Sequence, residues 1–402
     1  LPALSHLRIL DLTRILAGPW ASQLLGDLGA DILKIERPGT GDDTRAWGPP
    51  YLPDTTDAGY FLCANRNKRS VAIDFTRPEG ADLVRRLAAD SDVVIENFKV
   101  GGLAKYGLDH AALCTVNPDL ITCSITGYGQ TGPYADRPGY DFVMQGLGGL
   151  MSITGRPDGE PGAGPQRVGV ALTDVMTGLY ACTAILAALA HRDRTGHGQH
   201  IDLALLDVQV ATLANQTSNF LMTGQAPTRM GNAHPNIVPY QDFPSADGHL
   251  LIAVGNDSQF ARLADALGEP GWATDPRYAT NAARVANRAV LVPAIAAITA
   301  ARGTADWVAV LEAAGVPCGP INNLAQVFAD PQVQARGTRI AMTHGTGAEL
   351  GLVANPIRMS GTPVTYRLPP PTLGEHTAAT LRDRLGLSVA DIQTLTEKGI
   401  IA

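Results

Sequence analysis

The sequence predicts an α/β protein, with a parallel-sheet large domain and a smaller α+β domain. Three observations carry this. Over the first 130 residues, short apolar strands alternate with amphipathic helical stretches, the pattern of a parallel sheet with crossover helices. Composition then changes near Gly224, where a loop-like run over 225–241 precedes new strand and helix patterns. Finally, the chain has 402 residues, and at roughly 100–200 residues per domain this suits two or three units.

The elements follow in order. Leu7–Leu12 reads as a strand and Pro19–Leu28 as a helix, with Pro19 near its start and Gly29 placed to end it. Strands are expected at Asp31–Glu36, Ser70–Asp74, Asp92–Glu96 and Leu120–Thr126. Pro78–Asp90 has Leu83, Val84, Leu87 and Ala88 on one helical face. A long apolar segment, Leu172–His191, leads through a Gly196–Gln199 turn to a strand at His200–Leu206 and a helix to about Met222. The second domain starts with a strand at Gly248–Val254, followed by helices at Ser258–Leu267, Arg284–Ala301 and Thr304–Ala314. Residues 1–224 are thus assigned to the large domain and 225–334 to the small one. The tail, 335–402, ends in a stretch too short to fold alone and is expected to pack back on the large domain.

Hydrophobic residues make up 45% and charged residues 17%, so the chain is globular and not disordered. A net charge of −7 argues against a nucleic-acid partner. Five widely spaced cysteines, an odd number without metal-ligand spacing, fit reduced thiols in the cytoplasm and no metal site. No signal-peptide pattern opens the chain. The longest apolar run, around Ala181–Ala190, is too short to span a bilayer, so no membrane association is expected.

In open parallel sheets, ligands bind at the carboxyl ends of the strands. That rule marks 13–18, 37–45, 97–105 and 127–133. Arg37, the Arg66, Lys68 and Arg69 cluster, Lys99 and Lys105 flank predicted strands, where they could hold phosphates or simply form a solvated face. No dinucleotide fingerprint or phosphate-loop motif is present. Asp174 falls in the first turn of a helix apolar on nearly every side. By pattern alone it can cap that helix or serve as a buried nucleophile beside unpaired N–H groups. Carboxylates that cap are the commoner case.

At these residues the chain resembles the family III CoA-transferases. The resemblance runs over essentially its whole length, through Leu10-Asp11-Leu12-Thr13-Arg14, Ala17-Gly18-Pro19, Lys34-Ile35-Glu36-Arg37-Pro38-Gly39 and Gly41-Asp42-Asp43-Thr44-Arg45. It continues through Asn67-Lys68-Arg69-Ser70, Glu96-Asn97-Phe98, Gly127-Tyr128-Gly129, Thr195-Gly196-His197-Gly198-Gln199 and Leu373-Gly374-Glu375-His376-Thr377. Within the family, Thr44-Arg45-Ala46-Trp47-Gly48-Pro49-Pro50, Ile237-Val238-Pro239-Tyr240-Gln241 and Gly319-Pro320-Ile321-Asn322-Asn323 look like the branch acting on succinyl-CoA and glutarate or hydroxymethylglutarate.

The resemblance implies a Rossmann-like large domain and a homodimer of two interlocked rings. It makes Asp174 the catalytic aspartate, working through an aspartyl anhydride and an aspartyl-CoA thioester. Coenzyme A then acts as substrate, with no permanently bound cofactor. Arg37, Lys68, Asn97, Phe98, Lys105 and Tyr140 match CoA contacts, and Leu16 and Ala17 match a site whose backbone faces the thioester. The formyl-CoA branch has glutamine where this chain has Leu16, which points away from oxalate. Arg14, and next Arg229, are the candidates for the distal carboxylate of a dicarboxylic acid. Two other readings stay open. One is an α-methylacyl-CoA racemase, whose Gly-His-Asp run is here Gly139-Tyr140-Asp141; tyrosine is a poor base near neutral pH. The other is a CoA-binding protein without turnover.

Overall fold

A computed structural model describes all residues, 1–402. The chain divides into two compact units. Leu1–Met151, Arg167–Gln225 and Ala335–Ala402 form the larger; Ser152–Gln166 and Ala226–Gln334 form the smaller.

The larger unit is built on six parallel strands: β1 (Arg8–Asp11), β2 (Asp31–Glu36), β3 (Lys68–Ala72), β4 (Val93–Glu96), β5 (Ile121–Thr126) and β6 (His200–Ala204). Their spatial order is β3-β2-β1-β4-β5-β6. The chain runs outward from β1 to β3, returns to the middle, and continues the other way from β4. The carboxyl ends of β1 and β4 therefore form a switch point, the place where such sheets open a crevice.

Alternate strand residues feed two cores. One face sends Ile9, Ile32, Val93, Ile95, Cys123 and Ile125 into a cluster with α1 (Ala17–Asp27). The other sends Leu10, Leu33, Ile35, Val71 and Val94 into a second cluster. Between β2 and β5 lie the short α2 (Gly59–Leu62), α3 (Pro78–Ala89) and α4 (His110–Cys114). Leu83, Val84 and Leu87 of α3 fill the second core, as their spacing predicts. After β5 come α5 (Asp141–Leu147), the short α6 (Leu150–Ile153), α7 (Leu172–Thr195), α8 (Leu205–Ala211) and α9 (Asn215–Thr223). Ala181, Ile185, Ala188 and Leu189 of α7 join the first core beside α1.

Three details differ from the sequence expectation. Strand β3 begins at Lys68, two residues early, and so takes Lys68 and Arg69 into its amino end. The helix after β6 is two helices, broken where Ala214 takes φ +47°. Helix α7 runs 24 residues, long and apolar enough to cross a membrane by length and composition alone, although half of that stretch is buried inside the protein.

The smaller unit holds an antiparallel sheet of β7 (Tyr240–Ser245), β8 (Gly248–Ala253) and β9 (Cys318–Pro320). Helices α10 (Asp257–Ala266), α11 (Asn281–Ala286), α12 (Arg288–Thr299) and α13 (Thr304–Ala313) pack around it, with α14 (Leu324–Ala329) and α15 (Pro331–Ala335) closing the stretch. Residues 152–166 group with this unit and not with the large one, in which the sequence reading had placed them. Gly231 N–H donates to Gly155 O at 3.0 Å, and Arg229 pairs with Asp158.

The tail returns to the larger unit through the hairpin β10 (Arg339–Thr343) and β11 (Glu349–Val353), then α16 (Thr377–Leu385) and α17 (Val389–Glu397). Asp74 N–H donates to Ile400 O at 2.8 Å, and Ile73 bridges Ile401, so the last residues extend the sheet beside β3.

Candidate active site

A cavity of about 500 Å³ opens at the carboxyl ends of β1, β2, β3 and β4. All its walls belong to the larger unit. Segments 13–18, 37–45 and 97–105, marked by strand position alone, all contribute lining residues.

Asp174 lies in this cavity, in the first turn of α7 and 8% exposed. Capping of α7 falls to another residue. Asp141, at the start of α5, accepts the Thr173 N–H at 2.8 Å and the Asp174 N–H at 3.3 Å on Oδ1. Gln145 Nε2 donates to its other oxygen at 2.8 Å. The Asp174 carboxylate has no ion-pair partner of its own. Burial, and next the negative charge of Asp141, push its pKa from 3.8 up to about 7. An ionised Asp174 is therefore a desolvated, reactive carboxylate.

Tyr60 of α2 does not line the cavity but feels the charges of both carboxylates. Its pKa is pushed up to about 12 by burial, then by the charges of Asp174, Cys63 and Asp141. Its hydroxyl thus stays protonated. Trp47 fixes the ring edge-on at 5.2 Å. The sequence reading missed Tyr60, and it met Asp141 only as part of the run that replaces Gly-His-Asp. Neither belongs to a periodic pattern; each gains meaning only from its nearness to Asp174.

Of the expected CoA contacts, Leu16, Ala17, Arg37, Asn97, Phe98, Lys105 and Tyr140 all line the cavity. Arg37 and Lys105 are exposed and free of ion pairs, as phosphate-binding groups should be. Lys99 and Arg137 add two further cations. Phe75 packs edge-on against Phe98 at 5.6 Å and Tyr106 at 5.7 Å, giving an aromatic wall.

Lys68 is a correction. Its side chain is 0% exposed and lies outside the cavity. The ammonium donates to Pro19 O at 2.9 Å, Asn65 Oδ1 at 2.8 Å and Asp11 Oδ2 at 3.3 Å. Complete burial pulls its pKa down against the attraction of Asp11. Its neighbours are also engaged, Arg66 with Asp27 at 2.6 Å and Arg69 with Asp31. The cause is position: the cluster stands at the amino end of β3, away from the strand ends that open the cavity, and Lys68 is taken up there by Asp11.

The two proposed carboxylate readers part ways. Arg14 lines the cavity, pairs with Asp43 at 3.1 Å and lies 5.3 Å over the Phe98 ring. Its Nε is buried without an acceptor. Arg229 belongs to the smaller unit, where Asp158 and Arg156 O hold it.

Comparison with known proteins shows the family. The CoA-transferase family III model matches residues 4–377. A succinate–glutarate CoA-transferase of Agrobacterium fabrum is 53% identical over 95% of this chain and 96% of its own length. A succinyl-CoA:glutarate CoA-transferase of Mus musculus is 45% identical over 99% of this chain and 90% of its own. Among solved structures, a CaiB/BaiF family protein from Brucella suis superposes with a TM-score of 0.83 at 52% identity, covering 95% of this chain and 99% of its own. A sheet-end cavity rimmed by cations with an unpartnered aspartate inside is thus matched by likeness along nearly the whole chain, which belongs to the family III CoA-transferases.

Proposed function

We propose that this enzyme moves CoA from succinyl-CoA to glutarate or a dicarboxylate of similar length, with Asp174 as covalent nucleophile. The observation that carries the mechanism is the buried, unpartnered Asp174 carboxylate in the cation-rimmed cavity. The substrate pair follows the relatives at 53% and 45% identity.

The ionised Asp174 attacks the thioester carbonyl, giving an aspartyl–succinyl anhydride and CoA thiolate. The thiolate attacks the aspartyl carbonyl, giving aspartyl-CoA thioester and succinate. Glutarate then displaces the thiolate and forms a second anhydride. The retained thiolate attacks the glutaryl carbon, releases glutaryl-CoA and regenerates Asp174. No net proton, electron or water is exchanged. Holding CoA between the half-reactions keeps the thiolate at high effective concentration, and burial of Asp174 protects both activated intermediates from hydrolysis.

Arg14 supports the dicarboxylate reading, since its orphaned Nε leaves a donor for a bound anion. The homodimer is part of the same proposal. Leu179, Tyr180 and Leu186 on α7, Phe142 and Leu147 on α5, and Leu221 and Met222 on α9 are all exposed, an apolar load that suits a partner surface.

The test is chemical trapping. Wild type incubated with succinyl-CoA and hydroxylamine should yield a hydroxamate at Asp174 in a peptide map. Asp174→Ala should bind CoA but lose more than about a hundredfold in kcat, which is ~2.7 kcal/mol of transition-state stabilisation. Trapping at another residue, or a smaller loss, would remove Asp174 from the mechanism.

A further inference from the structure

The loop 13–16 leaves β1 at the switch point and enters α1, and Leu16 and Ala17 line the cavity that holds Asp174. Within it, Ile15 has φ +72°. A β-branched residue in the left-handed region is strained and persists only where its surroundings over-determine it.

Three side chains supply that determination, acting on the two peptides that precede Ile15. Lys34 Nζ donates to Thr13 O at 2.8 Å. Asn97 accepts the Arg14 N–H at 3.0 Å and donates to Arg14 O at 2.7 Å. Asp42 Oδ1 accepts the Ile15 N–H at 3.2 Å. Asp42 is 1% exposed and paired with the fully buried Lys34 at 2.9 Å. Thr44 fixes the same Oδ1 through its N–H at 3.0 Å and its hydroxyl at 2.8 Å. The held loop reaches the reacting end of the cavity. A Cβ on Gly178, one turn along α7 from Asp174, would come within 2.8 Å of Ala17 O.

A loop that served only to join β1 to α1 would need neither a strained residue nor a buried charge to hold it. We propose that Asp42 is a positioning residue for the transfer step: it holds the Ile15 peptide so that the Leu16–Ala17 backbone stays fixed against the acyl group beside Asp174. The proposal rests on the reading of Asp174 as nucleophile. Of the free cations of the cavity, Lys99, Lys105 and Arg137 stand on other loops, and Arg37, on the loop of Asp42, makes no ion pair with it. Loss of the Asp42 contact should therefore slow turnover far more than it weakens CoA.

The test compares Asp42→Ala and Asp42→Asn in the full-length enzyme. It reads kcat and KM with succinyl-CoA and glutarate, Kd for CoA by calorimetry, and amide hydrogen exchange over residues 13–18. Asp42→Ala should lower kcat by at least about thirtyfold with a change in CoA Kd below about threefold, and residues 15–17 should exchange faster. Asparagine keeps a carbonyl for the Ile15 N–H and should recover about tenfold of the lost kcat. An unchanged kcat, parallel losses in kcat and CoA affinity, or an asparagine variant no better than alanine would overturn the proposal. Should Asp42→Ala fail to fold, Asp42→Asn with and without Ile15→Gly decides the matter. Glycine adopts this φ without strain, so the double variant should turn over faster than Asp42→Asn alone, and an equal or lower kcat would sink the idea. Hydroxylamine trapping on wild type runs alongside. A missing Asp174 adduct there removes the nucleophile reading, whereas the Asp42 series is judged on its own kcat, Kd and exchange.

Discussion

A carboxylate that attacks a thioester must be ionised, and Asp174 is held where ionisation is costly. Burial and the neighbouring Asp141 push its pKa up to about 7, so kcat/KM should rise with pH along a limb near that value. Asp141→Asn removes the second cause while keeping an oxygen for the Thr173 N–H. The limb should then move down by about one pH unit; an unmoved limb means that Asp141 does not tune Asp174. Stability carries the opposite sign. The folded-state pKa of Asp174 lies above its ordinary 3.8, so the folded protein binds this proton more tightly than the unfolded chain. The contribution is fully present below pH 3.8 and is lost as pH rises through about 7. Asp174→Asn should accordingly raise Tm more at pH 8 than at pH 5, with the gain smallest near pH 3.8. A larger gain at pH 5 than at pH 8 would contradict the burial argument.

At the scale of elements, the site depends on how closely α1 and α7 approach. Gly178 allows that approach, since any Cβ there would meet Ala17 O at 2.8 Å and the Trp20 side chain at 3.0 Å. Gly178→Ala must push α7 away from the Leu16–Ala17 turn. Overpacking of this kind costs about 1–3 kcal/mol, so a lower Tm together with a lower kcat is expected, and an unchanged kcat would show that the α1–α7 distance is slack. Much of this architecture was legible beforehand. Strand β2 matches its predicted bounds, because Ile32, Leu33 and Ile35 stand between a glycine turn at Gly29 and Pro38. The apolar face of α3 was readable from its 3.6-residue period. What stayed hidden was anything decided by pairing across the sheet. Ser70–Asp74 is as strand-like as Lys68–Ala72, and only pairing of Ile32 with Lys68 and Glu36 with Ala72 fixes the frame. Lys68, expected as a ligand contact, is instead the centre of a buried network with Asp11, a pairing made across the sheet that no local pattern announces. The break at Ala214 was unreadable for the same reason, since no glycine or proline marks it. Asp174 could be placed in a first turn from pattern alone, but its freedom from capping depends on Asp141, 33 residues earlier.

For the whole molecule, charge and apolar surface lead to different measurements. The cations lining the cavity stand on a chain of net charge −7, so CoA should feel a local positive field, and its Kd should rise with ionic strength. The assembly is a separate matter. In the larger unit Leu221 is 75% exposed and Met222 is 85% exposed. With Phe142, Leu147, Tyr180 and Leu186 also exposed, this surface suits burial against a second copy. Two interlocked rings make a sharper prediction than an ordinary dimer does. Faces that merely touch dissociate on dilution, whereas linked rings must unfold, at least in part, before they separate. Sedimentation should therefore give twice the 42.2 kDa chain mass at every concentration, from about 10 µM down to about 10 nM. Mixed tagged and untagged enzyme should form no hybrid dimers under native conditions, and should form them only after denaturation and refolding. Hybrids that appear within minutes would refute the linked topology while leaving a simple dimer standing. A monomer at micromolar concentration would refute both, and the exposed side chains of α5, α7 and α9 would then need another partner.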